Sequence, residues 1–388
     1  MMKALRTLAL SLLLLLLLAP WILSPLYGYA SDQNPREVPA LLLTDSAGKV
    51  DRFAGQQLQQ PPKVEPQLLR QILEGEPGTQ YRVVVDLLQQ ADLASLPAAM
   101  SREQRRDLVV SALQQIARKA QAPLLTSLSQ RQQSVQHVRS FWIFNGLAVA
   151  ANADTILEMA ARPEVRLIRE DRWLPWLGPP SVTEIPDSEG NGAVQWNIAQ
   201  IRADLAWSIL DLNGSGVTVG IMDTGVDWQH PSLLDQYRGY RPGGLAIHEG
   251  NWICTTDQEL FYPVDGHGHG THVAGTAVGG LDSTGQAIGV APGASWIAAK
   301  TFSDTGYAYD SWLHAAFEWF LAPAGDPALA PDLINGSWSS SFSQDDTFQP
   351  DLEAIRTAGI VPVFAAGNDG PDPGSVGSPG SYPDSITV

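Results

Sequence analysis

Cys254 is the only cysteine among 388 residues. No intrachain disulfide can form, so stability has to come from core packing and any bound ions. Positive charge is scarce as well: 24 Lys+Arg stand against 41 Asp+Glu, for a formal net charge of −17. That balance excludes nucleic acid and anionic membrane as electrostatic partners and describes a soluble acidic protein. Long apolar runs are missing except at residues 8–18, so no later segment is long enough to span a bilayer. Core-forming side chains are plentiful, since 44% hydrophobic residues can fill two or three domains. Cys254 itself is expected to be a small buried side chain rather than a reactive thiol.

The apolar run follows Lys3 and Arg6 and is followed by Tyr27-Gly28-Tyr29-Ala30, the layout of a secretory signal peptide over residues 1–30. The mature chain is therefore expected outside the cell and free of the membrane. Residues 31–80 are rich in Gln and Pro with little periodicity, and read as a loosely ordered lead-in. A unit of different character occupies residues 81–172. A strand over 82–87, a long amphipathic helix over 101–131 opened by Ser101-Arg102-Glu103-Gln104, and two strands within 140–151 come first. Asn145-Gly146 suits the hairpin turn between those strands. A short helix over 154–161 and a strand over 165–169 complete a β-α-β-β-α-β order, that of a small ferredoxin-like α+β domain. Residues 173–193 carry Pro175, Pro179, Pro180 and Pro186 with three glycines. They read as an exposed linker suited to proteolysis.

From residue 194 to 388, apolar β runs alternate with helical patterns. The strands are 217–222, 295–302, 332–335 and 360–366; the helices begin at Gly270 or cover 311–321 and 352–358. Such alternation predicts an α/β domain with a doubly wound parallel sheet and helices on both faces. Ligands in such sheets bind at the carboxyl ends of the strands, where Asp223 and Asn368 fall.

Chemistry concentrates in residues 265–276 (DGHGHGTHVAGT), where three histidines and four glycines lie between a polar loop and an apolar helix. Together with residues 217–227 (VTVGIMDTGVD) and 363–370 (VFAAGNDG), this stretch resembles the subtilisin-like serine proteases, the subtilase or peptidase S8 family. Three separate motifs occur in the family's order, and the unit at 81–172 resembles the inhibitory propeptide of the same family. The resemblance implies that Asp223 orients the base, that His269 is the base, and that Asn368 donates to the oxyanion, with His272 structural. It further implies that Ser337, Trp338 and Ser339 bind the substrate backbone, with residues 302–307 as the opposite wall. The expected partners are polypeptide substrates and the chain's own propeptide, and the expected state is a monomer. No cofactor is implied for the chemistry. Structural calcium is allowed for, although Ser232 stands where many members carry a ligand aspartate, and a hydroxyl is a poor ligand for a hard cation. Ser339-Ser340-Ser341 replaces the usual glycines at the pocket edge.

No Gly-Thr-Ser-Met-Ala-type segment, which carries the family's nucleophile, occurs in the 388 residues. The expectation is a C-terminally truncated record of a secreted zymogen, inactive as it stands. An inactive homologue serving as a secreted binding protein is the alternative. Two more distant readings use other chemistry. His267, His269 and His272 could hold zinc, although Thr271 replaces the aspartate of the His-X-His-X-Asp-His motif. Asp-Thr-Gly at 223 and again at 304 suggests paired acid catalysis, against an α/β rather than all-β pattern.

Overall fold

The computed structural model describes residues 63–388, apart from 98, 132, 178–193 and 341–344. The first part contains α1 (Pro66–Glu74), β1 (Gln80–Leu87), α2 (Arg102–Ser129), β2 (Val135–Phe141), β3 (Gly146–Asn152), α3 (Ala153–Ala160), β4 (Val165–Glu170) and β5 (Trp173–Pro175). After it come α4 (Trp196–Gln200), α5 (Ala203–Leu210), β6 (Thr218–Asp223), β7 (Tyr240–Arg241), β8 (Leu245–Ala246), β9 (Trp252–Cys254) and α6 (His269–Val278). The remaining elements are β10 (Ser295–Lys300), β11 (Tyr307–Tyr309), α7 (Asp310–Leu321), β12 (Leu333–Gly336), α8 (Gln349–Thr357), β13 (Val361–Phe364) and β14 (Ile386–Thr387).

In the first part the sheet order is β2-β3-β1-β4 and every pairing is antiparallel. α2 starts where its sequence says it should. Ser101 Oγ accepts from the Gln104 amide at 3.2 Å, and Gln104 Oε1 accepts from the Ser101 amide at 3.1 Å. This reciprocal cap satisfies two donors that a helix start otherwise leaves open. The run Val83-Val84-Val85 is buried on both faces. Val83 and Val85 pack with Leu124, Leu128 and Ile156, while Val84 joins a second core with Phe317, Leu352 and Ile355 of α7 and α8. A strand covered on both faces reads as a continuous apolar run rather than an alternation.

The second part is a six-stranded sheet of order β14-β13-β12-β6-β10-β9, parallel throughout. Its period-2 pattern divides the layers. Val219, Ile221, Trp296 and Ala298 face Ala274 and Val278 of α6. Met222, Ile297 and Ala299 face Leu313 and Phe317 of α7. This is the expected doubly wound α/β arrangement.

Three differences from the sequence reading stand out. Residues 66–74, placed in the lead-in, form α1, because Leu68 and Ile72 lie four apart and bury one stripe against Val64 and the first core. Residues 173–175, placed in an exposed linker, form β5, paired antiparallel with β11. Cys254 is half-buried in the edge strand β9, with Sγ 3.1 Å from Thr256 Oγ1. The expected signal peptide, the rest of the lead-in to residue 62 and the linker over 178–193 lie outside the described residues.

One buried polar side chain supports the β2–β3 turn. Gln121 Nε2 donates to the Phe141 carbonyl at 2.8 Å and to Asn145 Oδ1 at 3.1 Å, and Gln121 is 4% exposed. Replacing Gln121 with Ala leaves those acceptors buried and unpaired, and should cost about 1–3 kcal/mol in urea unfolding of the whole chain. An unchanged midpoint would show that the turn does not need it.

Candidate active site

β6 ends at Asp223 on the carboxyl edge of the sheet. Its backbone carbonyl accepts from the Thr301 amide at 2.8 Å and from Thr301 Oγ1 at 3.1 Å, which pins the strand end to the loop after β10. The chain then turns through Gly225 at φ +109°, where a Cβ would lie 1.9 Å from the Val264 carbonyl oxygen. Only glycine fits. α6 meets this turn at Gly270, where a Cβ would lie 2.1 Å from the Gly225 oxygen and 3.0 Å from Asp223 Cβ. Two glycines therefore let a helix start touch a strand end. The result is a 2.7 Å contact between His269 Nδ1 and Asp223 Oδ1, across a sequence separation of 46 residues.

The two partners differ sharply in exposure: the Asp223 side chain is 0% exposed and that of His269 is 35% exposed. Burial pushes the Asp223 carboxyl above its ordinary range, while bonds from His269 and from the Thr224 amide at 2.7 Å pull against that shift. The bond to Asp223 in turn holds the His269 imidazole above its ordinary value, against desolvation. An ionised carboxylate only accepts, so Nδ1 carries the proton of the neutral ring and Nε2 is the free acceptor. A half-exposed imidazole with this tautomer can take a proton from a hydroxyl beside it.

Sequence reasoning passed over Asp265. Its Oδ1 accepts from Thr224 Oγ1 at 2.8 Å and the Gly268 amide at 2.8 Å; its Oδ2 accepts from the amide and hydroxyl of Thr271 at 2.9 and 2.7 Å. Thr224 Oγ1 also accepts from the Gly270 amide at 2.9 Å. One carboxylate thus caps α6 and ties it to the residue after Asp223. Burial is the largest single influence on Asp265 and raises it, yet these donors together hold it below the usual carboxylate range. The legible signal was an acid four positions before the histidine, ahead of a helix start.

The two segments expected as walls of the cleft lie on either side of residues 173–177. The Trp338 indole donates to the Met222 carbonyl at 3.1 Å and is buried, so this wall is anchored to the residue before Asp223. Asn335 Nδ2 donates to Ser337 Oγ at 2.9 Å, and Ser339 packs against the backbone of Gly367. Between the walls runs the chain's own segment 173–177. β5 pairs with β11, the Ser339 amide donates to the Trp176 carbonyl at 3.3 Å, and the Trp176 ring packs edge-on against Trp338 at 5.5 Å.

Residues 214–388 match the family model described as Subtilase family. These residues carry a subtilase-family domain. It is 36% identical over 321 residues to Bacillopeptidase F of Bacillus subtilis (strain 168), covering 78% of this chain and 22% of that protein. Against Subtilisin J of Geobacillus stearothermophilus it is 28% identical over 296 residues, covering 76% of this chain and 68% of the relative. A solved structure of fervidolysin from Fervidobacterium pennivorans, described as a keratinolytic enzyme related to subtilisin, aligns with a TM-score of 0.46 at 19% identity, covering 81% of this chain and 43% of that one. The chain spans about a fifth of the length of Bacillopeptidase F.

Within the subtilase domain, Asn368 follows β13 at the same carboxyl edge as Asp223. It is exposed, with β12 between its strand and β6. Among the described residues no hydrogen bond joins it to the His269–Asp223 pair. Ser341 lies outside the described residues. His267 and His272 are both exposed. Among the described residues no group of three or more His, Cys, Asp or Glu is arranged to hold a metal ion, which leaves the zinc reading without support. Asp304 is bonded to the buried Lys300 ammonium at 2.7 Å in a parallel sheet, which removes the basis for pairing it with Asp223.

Changing Asp223 to Asn should lower the pKa of His269, because the anionic partner is what favours the imidazolium. An NMR titration of the His269 ring in both proteins checks this. Equal values would separate the two residues electrostatically.

Proposed function

We propose that this chain is the precursor of a serine endopeptidase that cleaves polypeptides through acyl transfer. The observation that carries the reading is the 2.7 Å bond between a half-exposed His269 and a fully buried Asp223. In this mechanism Nε2 of His269 takes the proton of a serine hydroxyl as its oxygen attacks the scissile carbonyl. Asp223 stabilises the imidazolium that forms, and Asn368 donates its amide N–H to the oxyanion. The imidazolium then protonates the leaving amine, and water repeats the sequence on the acyl enzyme. The family's nucleophile motif does not occur in these 388 residues. No cofactor enters these steps.

The segment 173–177 supports a zymogen reading. It adds a strand to the cleft in the manner of an extended peptide, with main-chain bonds on both sides and one large side chain seated below. We infer that the ferredoxin-like part is an inhibitory propeptide, and that residues 1–30 direct secretion. No helix among the described residues is long and apolar enough to cross a membrane. The absence of a nucleophile motif from these residues favours one competitor, an inactive homologue that binds peptides in the same cleft.

In the protein that includes its serine, His269→Ala should reduce hydrolysis to background. Asn368→Ala should lower kcat by about 10²–10³-fold with little change in KM, equivalent to about 2.7–4 kcal/mol, a magnitude measured on a subtilisin. Undiminished turnover by the histidine variant would contradict the mechanism.

A further inference from the structure

α2 has 28 residues, a length of about 42 Å at 1.5 Å per residue. Its strands are far shorter: β1 has eight residues, about 26 Å. The helix is thus longer than the sheet it covers, and its two halves bury different faces. Leu124 and Leu128 sit in the core of the ferredoxin-like part. Val109, Val110 and Leu113 sit in the core shared with α7, α8 and Ala330 of the subtilase domain.

The first turns add polar anchors on that second surface. Arg106 is 6% exposed, and its guanidinium donates to the Ala330 carbonyl at 2.9 Å and to the Pro331 carbonyl at 2.6 Å. Arg102, one turn earlier, is paired with Asp332. Asp332 Oδ2 in turn accepts from the amide of Thr218, the first residue of β6, at 2.8 Å. The receiving surface is completed by Gly359, where a Cβ would lie 3.7 Å from Arg102 Cγ. Arg102, Arg106, Val109, Val110 and Leu113 form a single stripe on the helix. Two planar cations meet two buried carbonyls and a carboxylate, and an apolar patch follows.

This surface lies at the amino edge of the sheet. Asp223 lies at the other end of β6, five residues and about 17 Å away. The subtilase domain is therefore gripped at both ends of its strands: by β5 and Trp176 in the cleft, and by the first half of α2 at the opposite edge. We propose that Ala330, Pro331, Asp332 and Gly359 form a further docking surface for the N-terminal part, built for a helix carrying that stripe and separate from both the cleft and the face of α7. Cutting the chain between residues 177 and 194 leaves this contact intact, so the N-terminal part stays bound after its tail is free to leave. The word inhibitory rests on the protease reading; the docking does not.

The test uses the whole chain carrying His269→Ala and a cleavage sequence for an added protease placed within residues 178–193. After cutting, dissociation of the N-terminal part is timed by size-exclusion chromatography. Arg106→Ala should dissociate at least tenfold faster than the parent, and Arg106→Lys by an intermediate factor. Combined with Trp176→Ala, the two accelerations should multiply, as for independent sites. Hydrogen exchange on the uncut chain should show faster exchange at residues 103–113 in Arg106→Ala, with residues 124–129 as in the parent. Dissociation at the parental rate would overturn the proposal. So would accelerated exchange across the whole N-terminal part, since Arg106 would then support its fold rather than its docking. Neither readout needs hydrolysis, so failure here and failure of the protease reading are separable.

Discussion

A carboxylate with no exposed surface is costly to keep ionised unless other groups compensate for its lost hydration. Asp223 meets that demand with the imidazole of His269 and the amide of Thr224, and the second oxygen, Oδ2, is buried without a hydrogen-bond partner among the described residues. Everything near it works to keep the imidazole there. Gly225 and Gly270 remove the Cβ atoms that would hold α6 away, Asp265 ties the helix start to Thr224, and Thr301 fixes the strand end. The 2.7 Å contact is the product of backbone packing before it is a matter of side-chain choice.

The same sheet explains why the cleft and the N-terminal part are coupled. α7 packs on the sheet through Leu313 and Phe317, and its exposed side is covered by Phe141, Phe144 and Ala148 of the ferredoxin-like part, so one core runs through three layers. Polar contacts finish the interface. Asp171 accepts from the amide and hydroxyl of Ser311 at the start of α7, both at 2.8 Å, and Glu318 near its end accepts from the amides of Trp142 and Ile143 at 2.5 and 3.1 Å. Burial, opposed by those amides, pushes Glu318 up to about 7. With the start of α7 capped by Asp171 and the Glu318 carboxylate of α7 holding the amides of Trp142 and Ile143, the path of the chain into the cleft at β5 is set by packing rather than by the cleft alone.

The doubly wound sheet was legible because parallel strands buried on both faces are continuous apolar runs, and 217–222, 295–302 and 360–366 are such runs. Asp223 and His269 were legible because glycines beside an acid and a histidine mark close backbone approach. The rest was hidden for identifiable reasons. α1 spans nine residues and buries only Leu68 and Ile72, too short a stretch for a period to stand out. β5 contains a proline and owes its strand geometry to β11, which lies 134 residues downstream at the paired Leu174 and Ala308. The extra reach of α2 left no sequence signal either, since a long amphipathic pattern does not say that its two halves face different cores. Asp265 was visible as an acid but not as a cap, because its role depends on Thr224, 41 residues away.

The central claim is the proposal that His269 and Asp223 serve a serine nucleophile. The most direct measurement treats the protein from its natural source, after removal of its N-terminal part, with a fluorophosphonate probe and maps the labelled peptide. Labelling of one serine outside residues 1–388, abolished by His269→Ala, is the predicted result. Folded mature protein that takes no label would contradict the account and leave a peptide-binding cleft without chemistry.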